Sequence, residues 1–522
     1  MTSSITMQWD KARFETATMF GVALTLVTLG GSGCGSNLPA SAAGGAATSA
    51  GGGALGSGGA SVAGRAGEEG GFPAFVPTAG PGCGLASAAF CDSFDAPSAN
   101  RGRAGELSIG KWSGGRMAPQ LPTRGGGPYI GIGKGTLPSC RAGLPAQVFP
   151  DQDTLVCDPN GTIDSNHLLV VAAAQNYGQN SYRIRQPFDF ARRTGKIVLD
   201  AEAFLIHPLL GWISVAVTED PMAVPNFAVL LNDEGGILPR RGLSLVFANN
   251  CAGLGSSPSF AVRMLNVFEE YKGTAMMPDS PVCVSAGEGK LNHIEIDVSK
   301  TKVTVSATPA SADGKTFPPL ELLYSADVNL PFSRGYVSVS VHNHATKKYS
   351  EDPGFGAQHP YDAWVARFDN VAFDGPVVSS FREYEVLDSL SMSGAEMSIG
   401  YLAADVADGP SDTLVLKNVD LAGATSARLT LSSWYLADPK DKLPEYVLKY
   451  RFNGGAWRDR RFSAGEIANF NSGTNQGAIT QMMDVELTDL VSGENTLEFV
   501  TENVPQNYPP AVANIDLVLT TE

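Results

Sequence analysis

Apolar and polar positions alternate with a period of two through most of residues 83–522, and long runs at the helical period are missing. Residues 335–375 show the pattern best, as GYVSVSVHNHATKKYSEDPGFGAQHPYDAWVARFDNVAFDG. Val337, Val339 and Val341 fall on one face; Ser338, Ser340, His342 and His344 fall on the other. This predicts a half-buried strand with its imidazoles on the open face, followed by a second strand that completes the last hairpin of a first domain.

The same alternation predicts further strands at 167–174, 181–190, 196–204, 212–218, 243–248, 260–268, 292–298, 302–307 and 320–326. Turn residues such as Asp158-Pro159-Asn160-Gly161 and Ser299-Lys300-Thr301-Lys302 fill the gaps. In HIEIDVSKTKVTVSA, Ile294, Ile296 and Val298 point inward from one arm of a hairpin. Closely spaced strands without helices between them predict a sandwich or barrel, not a parallel sheet. After the connector VVSSFREYEV, six more short strands and the turn Asn453-Gly454-Gly455 predict a second β unit without cysteine. The fold class is therefore all-β, in two domains at 82–378 and 379–522; the resemblance given below implies that both are β-sandwiches (jelly rolls).

The N-terminal segment predicts that these domains are exported. Met19–Leu29 is an apolar segment too short to span a bilayer, with Lys11 and Arg13 before it and GGSGC after it. This resembles a lipoprotein signal, so that residues 1–34 are the signal peptide and Cys34 is lipidated; an ordinary secretory signal is the alternative. Residues 35–81, rich in Gly, Ala and Ser, predict a disordered tether without an apolar face to bury. Cys83, Cys91, Cys140, Cys157, Cys251 and Cys283 are an even set once Cys34 is set aside. In an oxidising compartment, short closures favour Cys83–Cys91, Cys140–Cys157 and Cys251–Cys283 among the alternatives. The charge of −16 argues against nucleic acid as a partner.

CDSFDA at the start, SNHLLVVAAAQNYGQNSYRIRQPFDF in the middle and ARFDNVAFDGP at the end resemble a concanavalin A-like lectin/glucanase jelly roll. ARLTLSSWYL, YRFNGGAW, VSGENTLEF and ANIDLVL resemble a galactose-binding-like β-sandwich. With the Gly-rich tether, the whole is similar to cell-surface lipoproteins of myxobacteria-like organisms. The resemblance implies carbohydrate binding on one sheet, and a localisation in the cell envelope, anchored through lipid alone.

Several side chains are candidates for that role. His342 and His344, two apart on one strand, can contact a glycan, hold a metal, supply a base, or simply fill a sheet face. Tyr349, His359, Asp362 and Trp364 come from the adjoining loop and strand. Tyr182 and Arg183 lie on opposite faces of 181–190; Arg183 and Arg185 either bind acidic sugars or pair with surface acids. Trp212 is a sugar-stacking platform or a core residue. Asp92, Asp95 and Asp369, in the first and last strands, are candidates for a structural Ca²⁺.

Glu295 and Asp297 lack the third acid of laminarinase-type hydrolases, because Ser299 stands there in a turn. They predict a solvated face with His293, as do Asp200 and Glu202 on their strand. The expected function is binding of carbohydrate or another extracellular polymer. The alternatives are a polysaccharide-cleaving hydrolase or lyase using the His342/His344 face, and an adhesion protein without a small ligand.

Overall fold

The computed structural model describes residues 80–95, 104, 107–117, 136–137, 147–148, 154–157, 168–174, 179–203, 211–222, 238–248, 259–285, 291–308, 317–343, 363–378, 381–386, 398–401, 413–434, 443–470, 478–503 and 511–521. The expectations for Cys34, for nearly all of the 35–81 tether, and for Cys140, Cys251, His344, Tyr349, His359 and Asp362 lie outside the described residues, as do the side chains of Cys157 and Trp364. All described residues fall in one compact unit.

The first sandwich has two antiparallel sheets. Its back sheet runs in spatial order Gly80–Gly82, Leu85–Asp92, Ala363–Asp374, Gly195–Ala203, Asn292–Val298, Lys302–Ala307 and Glu321–Asp327. Its front sheet runs Lys272–Met276, Ser259–Glu269, Arg241–Ala248, Gly211–Thr218, Arg334–Asn343, Gln179–Ile184 and Trp112–Met117. Alternation decides which side chains meet between them. Ile294, Ile296 and Val298 from the back sheet are buried with Ile213, Val215, Val337, Val339 and Val341 from the front sheet.

The first and last strands pair, with Phe90 opposite Phe373 and Cys91 opposite Ala372. Phe90 stacks on Phe373 at 5.7 Å and meets Trp112 edge-on at 5.4 Å. Burying a side chain of this size stabilises by about 2–3 kcal/mol. The disulfide Cys83–Cys91 closes the adjoining hairpin with a Cα separation of 5.8 Å. Cys283 is also disulfide-bonded.

One expectation is corrected. Residues 335–375 are not a hairpin, since Arg334–Asn343 lies in the front sheet and Ala363–Asp374 in the back sheet. Each arm buries its apolar face in the same core from opposite sides. An alternation pattern specifies a face, but not the partner strand.

The second sandwich packs the sheet Phe381–Glu385, Ala511–Thr521, Ala424–Trp434, Ala478–Val485 against the sheet Leu414–Val419, Gly493–Glu502, Val447–Phe452, Arg458–Arg461. Its separate core contains Leu429, Leu431, Leu497, Phe499 and Leu517. At the predicted turn, Asn453 and Gly454 both have positive φ, 53° and 65°, and Gly455 N–H donates to Phe452 O. That is the primed turn that matches strand twist. The helix Ala464–Phe470 starts with a capping box, in which Glu466 N–H donates to Ser463 Oγ and Ser463 N–H donates to Glu466 Oε2. None of the described helices is long and apolar enough to cross a membrane.

Phe381–Glu385 was expected to be part of a connector. It is a strand paired with Ala511–Thr521, from Phe381 opposite Thr520 to Glu385 opposite Asp516. Two glutamates in five residues read as a solvated linker, and only the long neighbouring strand makes them part of a sheet.

Candidate functional site

The outer face of the front sheet is a grid set by strand register. One row runs Asn266, Ser244, Ala216, Ser338, Arg183, Ser113 across six strands. The next includes Ser214, Ser340 and Ser181, and the next Trp212, His342 and Gln179. Small hydroxyl residues dominate, so neighbouring strands bond through side chains as well as backbone. The Ser181 and Ser340 hydroxyls are 2.6 Å apart, and Ser214 Oγ lies 2.9 Å from His342 Nε2. Trp212 stacks on His342 at 5.7 Å.

This face is not open. His342 is 3% exposed, Arg183 is fully buried, and Ser113, Ser181, Ser214, Ser338 and Ser340 are buried as well. Around Arg183 the cover is the second sandwich. The Arg183 guanidinium pairs with Glu383 and lies 5.2 Å from the centre of the Tyr336 ring. Arg185 reaches Glu385 at 3.0 Å and donates to Glu383 O at 2.9 Å. Tyr336 meets Phe381 edge-on at 5.9 Å. At another point Arg428 approaches Asp220 at 3.5 Å. Burial alone would lower the Arg183 pKa, but the Glu383 carboxylate, with Asp516 beyond it, raises it above its ordinary value.

The candidates therefore separate. Arg183 is the buried partner of a carboxylate, the less specific of its two expected roles. Tyr182 belongs to the core between the sheets. Trp212 and His342 are buried together, so the imidazole is not presented to solvent. The alternation of this strand is as expected, but the openness of its face is not. The missing information lay in Glu383 and Glu385, whose alternation with Tyr384 was the one available signal.

On the outer face of the back sheet, the structure joins residues that the sequence offered as separate pairs. Asp200 and His293 are register partners, and their Oδ1 and Nδ1 atoms are 2.6 Å apart. His293 Nε2 lies 3.5 Å from Glu295 Oε1. Asn370 Nδ2 donates to Asp200 Oδ2 at 2.8 Å. Lys196 pairs with Glu295 and reaches Asp297 at 3.7 Å. The Phe317 ring lies 5.4 Å from the imidazole. Burial would lower the His293 pKa, but the hydrogen bond to Asp200 and the charges of Asp200 and Glu295 raise it overall. Unlike His342, this imidazole keeps 20% of its side-chain surface exposed. The constellation offers carboxylates, an amide and an imidazole beside an aromatic ring, which suits binding of hydroxyl groups.

Asp369 adjoins this group through Asn370, whose N–H donates to Asp369 Oδ1 at 2.8 Å. Burial pushes the Asp369 carboxyl up to about 7; the Asn370 N–H opposes this, and the charges of Asp200, Asp95 and Asp92 add to it. Asp92 is otherwise engaged, accepting from Trp112 Nε1 at 2.7 Å and lying 3.4 Å from Lys111 Nζ. Asp95 accepts from Ser93 Oγ at 2.8 Å. These aspartates act on one another electrostatically, but the described residues contain no group of three acids, histidines or cysteines arranged to hold a metal ion.

No family model and no curated protein matches this chain. Among solved structures it is similar to a glycoside hydrolase family 16 endo-glucanase from Bacteroides ovatus in complex with G4G3G-2F-DNP, at 10% identity over 54% of this chain and 99% of that one, with a TM-score of 0.30. It is also similar to the VIP36 exoplasmic/lumenal domain in its Ca²⁺/Man3GlcNAc-bound form, at 10% identity over 44% and 83% of the two chains, TM-score 0.26. A legume lectin-like domain from Entamoeba histolytica matches at 8% identity over 41% and 85%, TM-score 0.26. Similarities of this size bring neither a ligand nor an activity to this chain.

Proposed function

We propose that this is an exported protein of the cell envelope, held through lipid on Cys34 and a Gly/Ala/Ser tether, that binds carbohydrate or another extracellular polymer. In this reading the first sandwich is concanavalin A-like and the second galactose-binding-like. The observation that carries the binding reading is the constellation of His293, Glu295 and Asn370 beside Phe317 on the outer face of the back sheet, oriented by the buried Asp200. Such groups exchange hydrogen bonds with sugar hydroxyls, and the ring supplies an apolar contact. The Cys83–Cys91 disulfide supports an oxidising compartment. Calcium is left out of the proposal, because Asp92 and Asp95 are committed to neighbours and do not converge with Asp369 on one point.

The test is a glycan array probed with the exported chain, with and without calcium, beside the variants N370A and H293A. Retention of a glycan that both variants weaken supports the reading. Absence of retention under every condition sinks it and favours the adhesion alternative. Mass spectrometry of the mature N-terminus tests the anchor, since an unmodified Cys34 ends that part. Burial of His342 against Ser214 and Trp212 speaks against cleavage by that imidazole.

A further inference from the structure

We propose that the second sandwich is a reversible cover over the front sheet, latched by ion pairs. The two flanking interlayers are apolar, each a core of Val, Leu, Ile and Phe. Where the front sheet meets the second sandwich, buried polar and charged groups surround Arg183, with the Tyr336–Phe381 ring pair beside them. Arg183 faces the side of the second sandwich that carries Glu383 and Asp516; its row neighbours Ser113 and Ser338 are buried, as are Thr430 and Asp516, and the Glu383 side chain is 4% exposed. Little hydrophobic free energy holds such surfaces together, and polar interfaces between domains of one chain are the ones that move.

The closed state also leaves hydrogen bonds unmade. Ser113 Oγ, Arg183 Nε, Arg183 Nη1, Ser338 Oγ and Thr430 Oγ1 are buried with no hydrogen-bond partner. A buried donor or acceptor without a partner bears its full desolvation penalty. Opening would return these atoms to water, so it recovers part of what the broken ion pairs lose. Among the described residues, the ion pairs that resist opening are Arg183 with Glu383, Arg185 with Glu385, and Arg428 with Asp220, joined by the edge-on rings of Tyr336 and Phe381 and by the Tyr271 ring beside Gly465. Glu383 and Glu385 sit on the same short strand, so one segment carries most of the latch. None of this depends on what the protein binds.

The experiment uses the full chain carrying Ser338→Cys, with a neutral thiol reagent and mass spectrometry to follow labelling at residue 338. Val339→Cys is the control, because that side chain points into the apolar core of the first sandwich. In the E383Q/E385Q background, labelling at 338 is expected to quicken about tenfold or more, since an arginine loses its buried counter-charge. Labelling at 339 should not change. Equal protection of residue 338 in both backgrounds would overturn the proposal, as would parallel acceleration at 338 and 339, which means general unfolding. A double variant that cannot fold overturns it too, because a detachable cover is not needed for folding. If Ser338→Cys itself is unstable, Ser113→Cys probes the other side of Arg183 with the same outcomes.

Discussion

Replacing Asp369 with asparagine is expected to stabilise the protein in mild alkali and to do nothing in acid. Asp369 sits where the back sheet slips register, between the Asp200–Asp369 and Val198–Ala372 pairs, and Asn370 takes up the slip at φ 49°. Its carboxyl is half-buried among other acids and sits near 7 instead of 3.8, with burial the main cause. A folded value above the unfolded one means that the native state holds the proton more tightly. The resulting stabilisation is whole below the unfolded value and is lost as pH rises through about 7. About three pKa units correspond to a ceiling of ~4 kcal/mol. Because the group keeps contact with solvent, about half of that is a reasonable expectation.

Asparagine keeps the Oδ1 acceptor for the Asn370 N–H and removes the charge. Denaturant titrations should therefore show D369N more stable by about 2 kcal/mol near pH 8, or about 4 °C in melting temperature, and equal to the parent near pH 4. An equal effect at both pH values, or destabilisation near pH 8, would refute the reasoning. Added calcium should leave the parent unchanged. If calcium stabilises the parent and not D369N, the carboxylate is an ionised ligand and this account of its burial is wrong.

Three further outcomes follow from separate features. His293 is raised by Asp200, so its contribution is present below the unfolded histidine value and fades as pH rises through the folded one; D200N should lower the titration midpoint in an NMR titration and flatten that dependence. A Cβ at Gly335 would meet Thr218 O at 2.6 Å and Val217 Cγ1 at 2.9 Å. G335A should therefore cost about 1–3 kcal/mol in chemical denaturation, and a neutral result would mean that the front sheet gives way there. Cys83 and Cys91 are 8 residues apart; the double serine variant should lose about 2.5 kcal/mol of stability by loop-closure entropy, measured against the reduced parent as control.

Much of the fold was legible because alternation is a local signal. Ile294, Ile296 and Val298 announce their burial without reference to any other strand, and the Asn453-Gly454 turn carries its conformation in its residue types. The candidate site was less so. His342 lies on the predicted face of the predicted strand, yet it is buried beside Ser214 and Trp212, and around Arg183 the same face is covered by a strand whose glutamates look solvated in the sequence. The Asp200–His293–Asn370 group was visible only as fragments, because strand order brings together residues 170 positions apart. Periodicity reports which side of a strand is apolar; it does not report what lies against the polar side.

The pairing of the first and last strands has a mechanical consequence. Leu85–Asp92 and Ala363–Asp374 are antiparallel, with Ala88 beside Asp374, so the chain enters and leaves the first sandwich at the same corner. A load applied between the segment upstream of Gly80 and the second sandwich would be borne first at that corner. It would peel the ladder one rung at a time instead of shearing all rungs together, which is the weaker arrangement for a loaded sheet. The Cys83–Cys91 link joins a residue upstream of this ladder to Cys91, opposite Ala372, and ties the entering hairpin into a covalent loop. Under tension the first sandwich would therefore yield from its exit strand.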